Sequence, residues 1–556
     1  MSVAEITKAR PAPRRFIKEQ DERSIKSAFE IYGAPAGDRR VVQICRPFSV
    51  LSAKTYSAAI TLPLGVAYLA SVLEKAGYRT SILDALAEDI FEVRPSDCGT
   101  YNFQGLNADK LVERIDPNAI VLGISMMFSQ EWIPHRELIN KIRARHPHLI
   151  IVAGGEHPTS LPEYTLRDCP AIDFLVTGEG ELTFLELVHA IFHGKDPRQV
   201  SGVSYLDDSG AFVSGGLSPR IAHIDELPRP AWHLCKVDNY HIGNWTMGIS
   251  SGRNMPILGT RGCPYQCTFC SNPTMWTTRY TMREPKDVVD EFEFLVKEYG
   301  ARSVEFFDLT AIVKKEWILA FCNELKKRKL DVSWQLPSGT RSEALDDDTL
   351  QAIYDTNCRL LVYAPESGSE ESLKLIKKKL KLDRLTQSAR TAVKIGHTVK
   401  INLIIGFPHE KLRHVISTVL YGIKMAWYGV DDCVLSIFTP YPGSELYVQL
   451  RKADMIAPPS DAYFRELLVQ FDMTKSTSHT PYISGAALAF WRFAGTAGYY
   501  LTAYLCHPRR IVRLLKSLMK GGRFEPNNVF EQRMYDLIVR LKLARSNQAS
   551  KAAPAE

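Results

Sequence analysis

The stretch "RGCPYQCTFC", residues 261–270, sets three cysteines, Cys263, Cys267 and Cys270, within eight residues. The spacing is C-x-x-x-C-x-x-C, and the aromatic Phe269 precedes the last cysteine. Structural zinc sites and ordinary iron–sulfur clusters take four protein ligands. No fourth cysteine lies nearby. A metal centre that keeps one position open is a catalytic one, because structural sites are closed. A zinc site completed by a distant His or Cys is the competing reading of the same thiols.

Outward from this stretch, strand-like runs alternate with helical ones. "MPILGT" (255–260) leads directly into the cysteines. "SVEFFDL" (303–309), "VSWQLPSG" (332–339), "RLLVYAPES" (359–367), "VKINLIIGFP" (399–408) and "CVLSIFTPYPGS" (433–444) follow, with helical stretches such as "EPKDVVDEFEFLVKEYG" between them. Six β–α repeats predict a partial (β/α)6 barrel over 255–450, with chemistry at the carboxyl ends of its strands. The cysteines fall at that end.

A second alternating series precedes it. "RVVQICRPF" (40–48), "RTSILDA" (79–85), "AIVLGISMM" (119–127), "LIIVAGGEHPTS" (149–160) and "AIDFLVTGEGE" (171–181) read as strands, with helices between. This predicts a doubly wound, Rossmann-like α/β domain over 39–200, with its ligand beyond the carboxyl ends of the strands. Residues 1–38 are polar and read as a poorly ordered lead-in, 201–254 as a hairpin and linker, and 451–556 as a helical C-terminal domain.

The bulk numbers agree with a soluble globular protein of several domains. The chain has 556 residues, 45% hydrophobic and 24% charged. A net charge of +7 over this length does not argue for a nucleic-acid partner, and none is expected. The N-terminal stretch "MSVAEITKARPAPRRF" shows no apolar signal core. Eleven cysteines, scattered apart from the one cluster, fit a reducing cytoplasm.

The three-cysteine loop and its setting resemble the radical S-adenosylmethionine superfamily. The resemblance implies a 4Fe–4S cluster on Cys263, Cys267 and Cys270, whose open iron is chelated by S-adenosylmethionine. One electron then splits the sulfonium bond and yields a 5′-deoxyadenosyl radical. By the same resemblance, Phe269, Asp308, Ser338, Arg341, Glu366, Ser367 and Gly406 contact S-adenosylmethionine: Asp308 on the amino group, Glu366 and Ser367 on the methionine and ribose, Gly406 beside the adenine. The family often has a small residue ahead of the glutamate; Pro365 stands there instead.

The stretches "LPLGVAYLASVLEKAGYRTSILDA", "GISMM", "GGEHPTSLPE" and "FLVTGEGELTFLEL" resemble the cobalamin-binding domain found ahead of many such enzymes. That likeness implies a cobalamin site drawn from Leu64, Gly65, Asp84, Ser125, Gly154, Gly155, His157, Thr159, Gly178 and Glu179. The Asp-x-His-x-x-Gly motif that ligates cobalt in cobalamin mutases is missing, so His157 is read as touching the nucleotide tail or packing. A generic doubly wound domain with another ligand is the competing reading.

Residues 483–522 combine an Ala-, Phe-, Trp- and Tyr-rich helix with "HPRRIVRLLKSLMKGGR". They read first as a cap that closes over the barrel and lines an apolar pocket. A basic amphipathic helix at a membrane surface is the alternative, with peripheral membrane contact through 483–522. Either implies a hydrophobic or lipid-like small-molecule substrate. The reading as a whole is a cobalamin-dependent radical S-adenosylmethionine methyltransferase acting on an unactivated carbon. It is cytoplasmic or membrane-peripheral, oxygen-sensitive, and served by an electron donor such as flavodoxin or ferredoxin. The same cofactors in an oxidative cyclase are the alternative. A methylthiotransferase and a non-enzymatic cofactor sensor fit the motifs less well.

Overall fold

The computed structural model describes residues 22–53, 60–242, 246–249, 251–469, 475–519, 528, 531–532 and 534–535. In the first domain, strands β1 (Val41–Arg46), β2 (Arg79–Asp84), β3 (Ala119–Ser125), β4 (Ile150–Gly154) and β5 (Phe174–Val176) are parallel. Their Val, Ile and Leu runs are buried in the manner of a sheet covered on both faces. β6 (Val203–Leu206) and β7 (Phe212–Val213) continue the same sheet antiparallel, giving the order β7-β6-β5-β4-β3-β1-β2. The strand order reverses between β1 and β3, which opens a crevice at their carboxyl ends.

Two boundaries differ from the sequence expectation. The hairpin assigned to a linker is the edge of the first sheet, because Ser204 and Val203 pair with β5. The lead-in 1–38 is also partly folded: helix Ile25–Ile31 buries Ile25 against the first domain, and Arg23 pairs with Glu186 at 2.6 Å. Residues 1–21 lie outside the described residues. A small antiparallel sheet of Ser49–Ser52, Val93–Pro95 and Tyr101–Gln104, not anticipated from the sequence, is inserted between the parallel strands.

The second sheet has six parallel strands in sequence order: β8 (Asn254–Ile257), β9 (Ser303–Phe306), β10 (Ser333–Thr340), β11 (Cys358–Glu366), β12 (Thr398–Ile405) and β13 (Asp432–Ile437). β8 and β13 do not pair, so the barrel is partial. Helices α1 (Leu64–Lys75) and α2 (Gly180–Phe192) pack together on the first sheet, and α3 (Leu412–Trp427) covers the second.

Beyond residue 483 the described residues form two helices, and the first does not close over the barrel as a cap would. Helix α4 (Gly485–Cys506) lies along α3 and the edge strand β13. Only its first turn reaches the active end, where Leu488 abuts Gly406; further along, Tyr499 donates to the Val430 carbonyl at 2.8 Å, ahead of β13. Helix α5 (Arg509–Met519) follows it. Residues 520–522 of the singled-out segment lie outside the described residues.

Candidate active site

The cysteine loop leaves β8 through the two-residue strand Thr260–Arg261, which pairs with Thr281–Met282. Gly262 follows at φ +81°, where a Cβ would sit 2.0 Å from the Arg279 carbonyl oxygen, so only glycine fits this turn. The loop backbone is held on both sides: Thr268 N–H donates to Ile376 O at 3.0 Å, and Leu446 N–H donates to Thr268 O at 2.8 Å. The Phe269 ring lies 5.7 Å from Phe407, tying the loop to the end of β12. Cys263, Cys267 and Cys270 are half-buried and form no disulfide. Burial raises all three thiols, Cys270 to about 12, while Lys378 and Arg341 pull Cys263 and Cys267 back.

The donor set fits a cluster better than one ion. Among the described residues no three His, Cys, Asp or Glu side chains converge as ligands of a single metal ion. Thiolates of a four-iron cube each bind a different iron, and metal binding deprotonates a thiol despite a raised pKa.

The other expected residues stand at successive strand ends. Asp308 is buried beyond β9 and accepts from Thr260 Oγ1 at 2.5 Å and Gly259 N–H at 3.1 Å; burial pushes its carboxyl up to about 6. Ser338 is exposed near the end of β10. The Arg341 guanidinium lies 3.7 Å from the Tyr265 ring centre and donates to the Lys379 carbonyl, while its Nε–H is buried without a partner. Glu366 ends β11 at φ +68° and pairs with the buried Lys378 at 2.9 Å. A non-glycine residue in this region is strained, which is common where ligands are held. Ser367 points into the structure instead, its hydroxyl 3.0 Å from Thr418 Oγ1. Gly406 ends β12 at φ +87° and donates its N–H to Glu410 at 2.7 Å.

The first domain's strand ends face the start of the cysteine loop across a cavity of about 320 Å³, continuous with solvent, whose lining reaches Arg261 and Gly262 but none of the three cysteines. Leu64, Gly65, Ser125, Gly154, Gly155, Gly178 and Glu179 line it from the first domain; Thr260, Arg261, Trp276, Phe307 and Leu309 line it from the barrel. A broad apolar wall with glycine turns beneath it suits a flat macrocycle.

Three residues expected on this surface do not line it. Asp84 caps a short helix, accepting from Leu86 and Ala87 N–H at 3.1 and 3.2 Å, and takes the Tyr240 hydroxyl at 2.6 Å. His157 packs rather than reaching a ligand: its ring stacks on Trp132 at 4.6 Å and meets Ser129 Oγ at 3.0 Å, and burial pushes it down to about 3. Thr159 stitches two turns together, donating to Gly155 O at 2.7 Å and accepting from Gly178 N–H at 3.0 Å.

Sequence reasoning missed several groups here. Glu181, Arg220 and Arg261 join Glu179 in a buried ionic cluster. Glu156 lines the cavity and accepts from Ser271, one residue past Cys270. Lys378 and Glu410 stand behind expected contacts. Only Glu410, four residues after Gly406 in the same turn, carried a local signal.

Comparison with known proteins follows the two halves of this geometry. The B12 binding domain family matches residues 53–188, and the Radical SAM superfamily matches residues 257–421. An uncharacterized methyltransferase of Pyrococcus horikoshii is 31% identical over 69% of this chain and 77% of its own length. An anaerobic magnesium-protoporphyrin IX monomethyl ester cyclase of Rubrivivax gelatinosus is 26% identical over 70% of this chain and 66% of its own. The structure of the radical S-adenosylmethionine methyltransferase TsrM from Kitasatospora setae, with cobalamin and a [4Fe-4S] cluster bound, shares the fold. Its TM-score is 0.61 at 18% identity, over 91% of this chain and 99% of that one. With a B12-binding domain facing a three-cysteine barrel loop, the chain belongs to the cobalamin-dependent radical S-adenosylmethionine methyltransferase family.

Proposed function

We propose that the protein methylates an unactivated carbon of a small, hydrophobic or lipid-like molecule. The observation that carries this reading is the cavity shared by the first domain's strand ends and Arg261 and Gly262 at the start of the cysteine loop. Tyr68, Met127, Phe184, Phe307 and Leu309 make its walls largely apolar, which suits a hydrophobic ligand. When bound, the cluster and S-adenosylmethionine supply a carbon radical and cobalamin supplies the methyl group.

The chain's own residues bind and orient. Cys263, Cys267 and Cys270 hold the cluster, and the ionised Asp308 carboxylate takes the amino group of S-adenosylmethionine. Lys378 fixes the Glu366 carboxylate at 2.9 Å, so that it faces its ligand in one orientation. Arg341 has a spare Nε–H for a carboxylate or hydroxyl. The Gly406 backbone, held by Glu410, is the proposed contact for the adenine base. Leu64, Gly65, Ser125, Gly154, Gly155, Gly178 and Glu179 form the platform for the corrin. No histidine is among the described residues lining the cavity. A small electron carrier of the flavodoxin or ferredoxin type in the cytoplasm is the proposed reductant.

Anaerobic reconstitution with iron, sulfide and hydroxocobalamin tests this reading. The expected result is about four irons and one cobalt per chain. Methyl-labelled S-adenosylmethionine and hydrophobic acceptors then give a product heavier by one carbon unit. Iron without cobalt sinks the cobalamin assignment, and a labelled-methyl-free, ring-closed product sinks methyl transfer in favour of cyclisation.

A further inference from the structure

Helix α4 turns one row of residues inward and another outward. Leu488, Arg492, Gly495, Tyr499 and Ala503 are buried against α3 and the barrel edge. Phe490, Phe493, Leu501 and Leu505 point the other way and are 61%, 65%, 63% and 68% exposed. The helix is about 33 Å long at 1.5 Å per residue, and this outward row contains no charge. Single exposed apolar residues are ordinary, but a continuous row with two phenylalanines is not.

The row widens onto its neighbours. Gly495 abuts Val419, Gly498 abuts Ile423, and His507 meets the Trp427 carbonyl at 3.3 Å. The two helices therefore run side by side in one direction, and Leu420 and Trp427 of α3, both more than half exposed, flank the row. Beyond it, α5 exposes Ile511, Val512 and Leu515. α5 is held to the barrel by Arg510, which pairs with Asp431 at 3.0 Å and donates to the Gly429 carbonyl at 2.7 Å.

Charge selects the occupant. Residues 483–523 contain seven Lys and Arg and no Asp or Glu; of these, Arg492 and Arg510 are buried. Arg509 is exposed beside the apolar row, and Arg513 is partly so. A second copy docking symmetrically on this face would set like charges against each other. A bilayer containing anionic lipid offers hydrocarbon for the Phe, Leu and Trp side chains and negative headgroups for the arginines, whose stems reach along apolar surface. No described helix is long and apolar enough to cross a membrane, so such contact would lie in the interface.

We propose that the outward face of α3, α4 and α5 docks the protein on an anionic lipid surface. The proposal is independent of the reaction and is tested without it. The full chain is sedimented with phosphatidylcholine vesicles, with and without phosphatidylglycerol. Partition into anionic vesicles should exceed partition into neutral ones and fall as salt is raised. The double substitution Phe493→Ser with Leu501→Ser should reduce partition by roughly tenfold or more, with an unchanged far-ultraviolet circular dichroism spectrum. Arg509→Glu, at an exposed position, should weaken binding to anionic vesicles only. The proposal is overturned if the wild type stays in the supernatant with both vesicles. It is equally overturned if the double variant still sediments like the wild type. Light scattering that shows a dimer dissolved by the double substitution, with no vesicle binding, would assign the face to a second copy instead.

Discussion

The guanidinium of Arg261 meets the carboxylate of Glu179 at 2.5 Å, and its other nitrogen meets Glu181 at 2.5 Å. Arg220 takes the second Glu179 oxygen at 3.0 Å, and all four side chains are buried. Arg261 stands two residues before Cys263, so the clasp joins the first domain to the cluster loop. Removing one partner of a buried ion pair leaves an uncompensated charge and costs about 3–5 kcal/mol. Arg261→Met should therefore lower unfolding stability by about that amount. Urea denaturation measures it. Burial alone would raise the Glu179 carboxyl, but Arg261 and Arg220 outweigh burial and hold it below its ordinary value. Its contribution is present above the unfolded pKa and is lost as pH falls through the depressed folded one. Acid unfolding of the variant should thus begin at higher pH than that of the wild type.

Gly154 and Gly155 adjoin at the end of β4 but do different things. Gly155 has φ +119°, and a Cβ there would sit 2.4 Å from the Met126 carbonyl oxygen. At Gly154 a Cβ would meet Val176 alone, its carbonyl oxygen at 3.6 Å and its Cβ at 3.9 Å, both ordinary contacts. Gly155→Ala should cost about 1–3 kcal/mol or more, seen as a lower melting temperature. Gly154→Leu should keep more stability yet lose cobalamin after gel filtration, because the residue lines the cavity. If Gly154→Leu retains cobalt as the wild type does, the platform lies elsewhere.

The strands were legible because each is a short Val-, Ile- and Leu-rich run bounded by turn residues; all six barrel strands begin within one residue of their expected starts, while the last ends at Ile437, seven residues before its expected end. The strand-end motifs were legible for the same reason, since Asp308, Glu366 and Gly406 each close such a run. The Arg261 clasp was not, because its partners lie about 80 residues away and only tertiary packing joins them. The β6–β7 hairpin has a period-two pattern visible in sequence, but its pairing with β5 does not follow from that pattern. For His157 the sequence leaves two readings, tail contact or packing, and its ring packs, with Trp132 stacked on one face and Phe464 edge-on.

Glu410 acts through the turn it holds. Its carboxylate accepts from Gly406 N–H at 2.7 Å, Phe407 N–H at 3.2 Å and Ser372 Oγ at 2.9 Å, fully buried. Glu410→Ala would leave these donors unpaired, at about 1–3 kcal/mol each if none finds water. The expected outcome is a marked loss of stability and a raised KM for S-adenosylmethionine. Glu410→Gln keeps one acceptor oxygen and should recover part of both. A KM unchanged in the alanine variant would show that the Gly406 turn does not touch the cofactor.

Asp308 gives the site a pH dependence whose sign is fixed. Burial pushes its carboxyl up to about 6, against the lowering effect of the Thr260 and Gly259 donors. A raised carboxyl favours the folded chain most below the unfolded pKa, and that contribution is lost as pH rises through about 6. At pH 7 the unliganded protein thus holds a buried carboxylate at a cost. Asp308→Asn should abolish this pH dependence of stability near pH 6. Ligand binding should move the opposite way, since only the ionised form pairs with the proposed amino group. Calorimetric titration of the cluster-loaded protein with S-adenosylmethionine should show affinity falling as pH drops below about 6 in the wild type. In Asp308→Asn affinity should be weaker throughout and lack that limb. An acid limb that survives in the variant would belong to another group, and the amino-group contact would then have to be sought elsewhere among the strand ends.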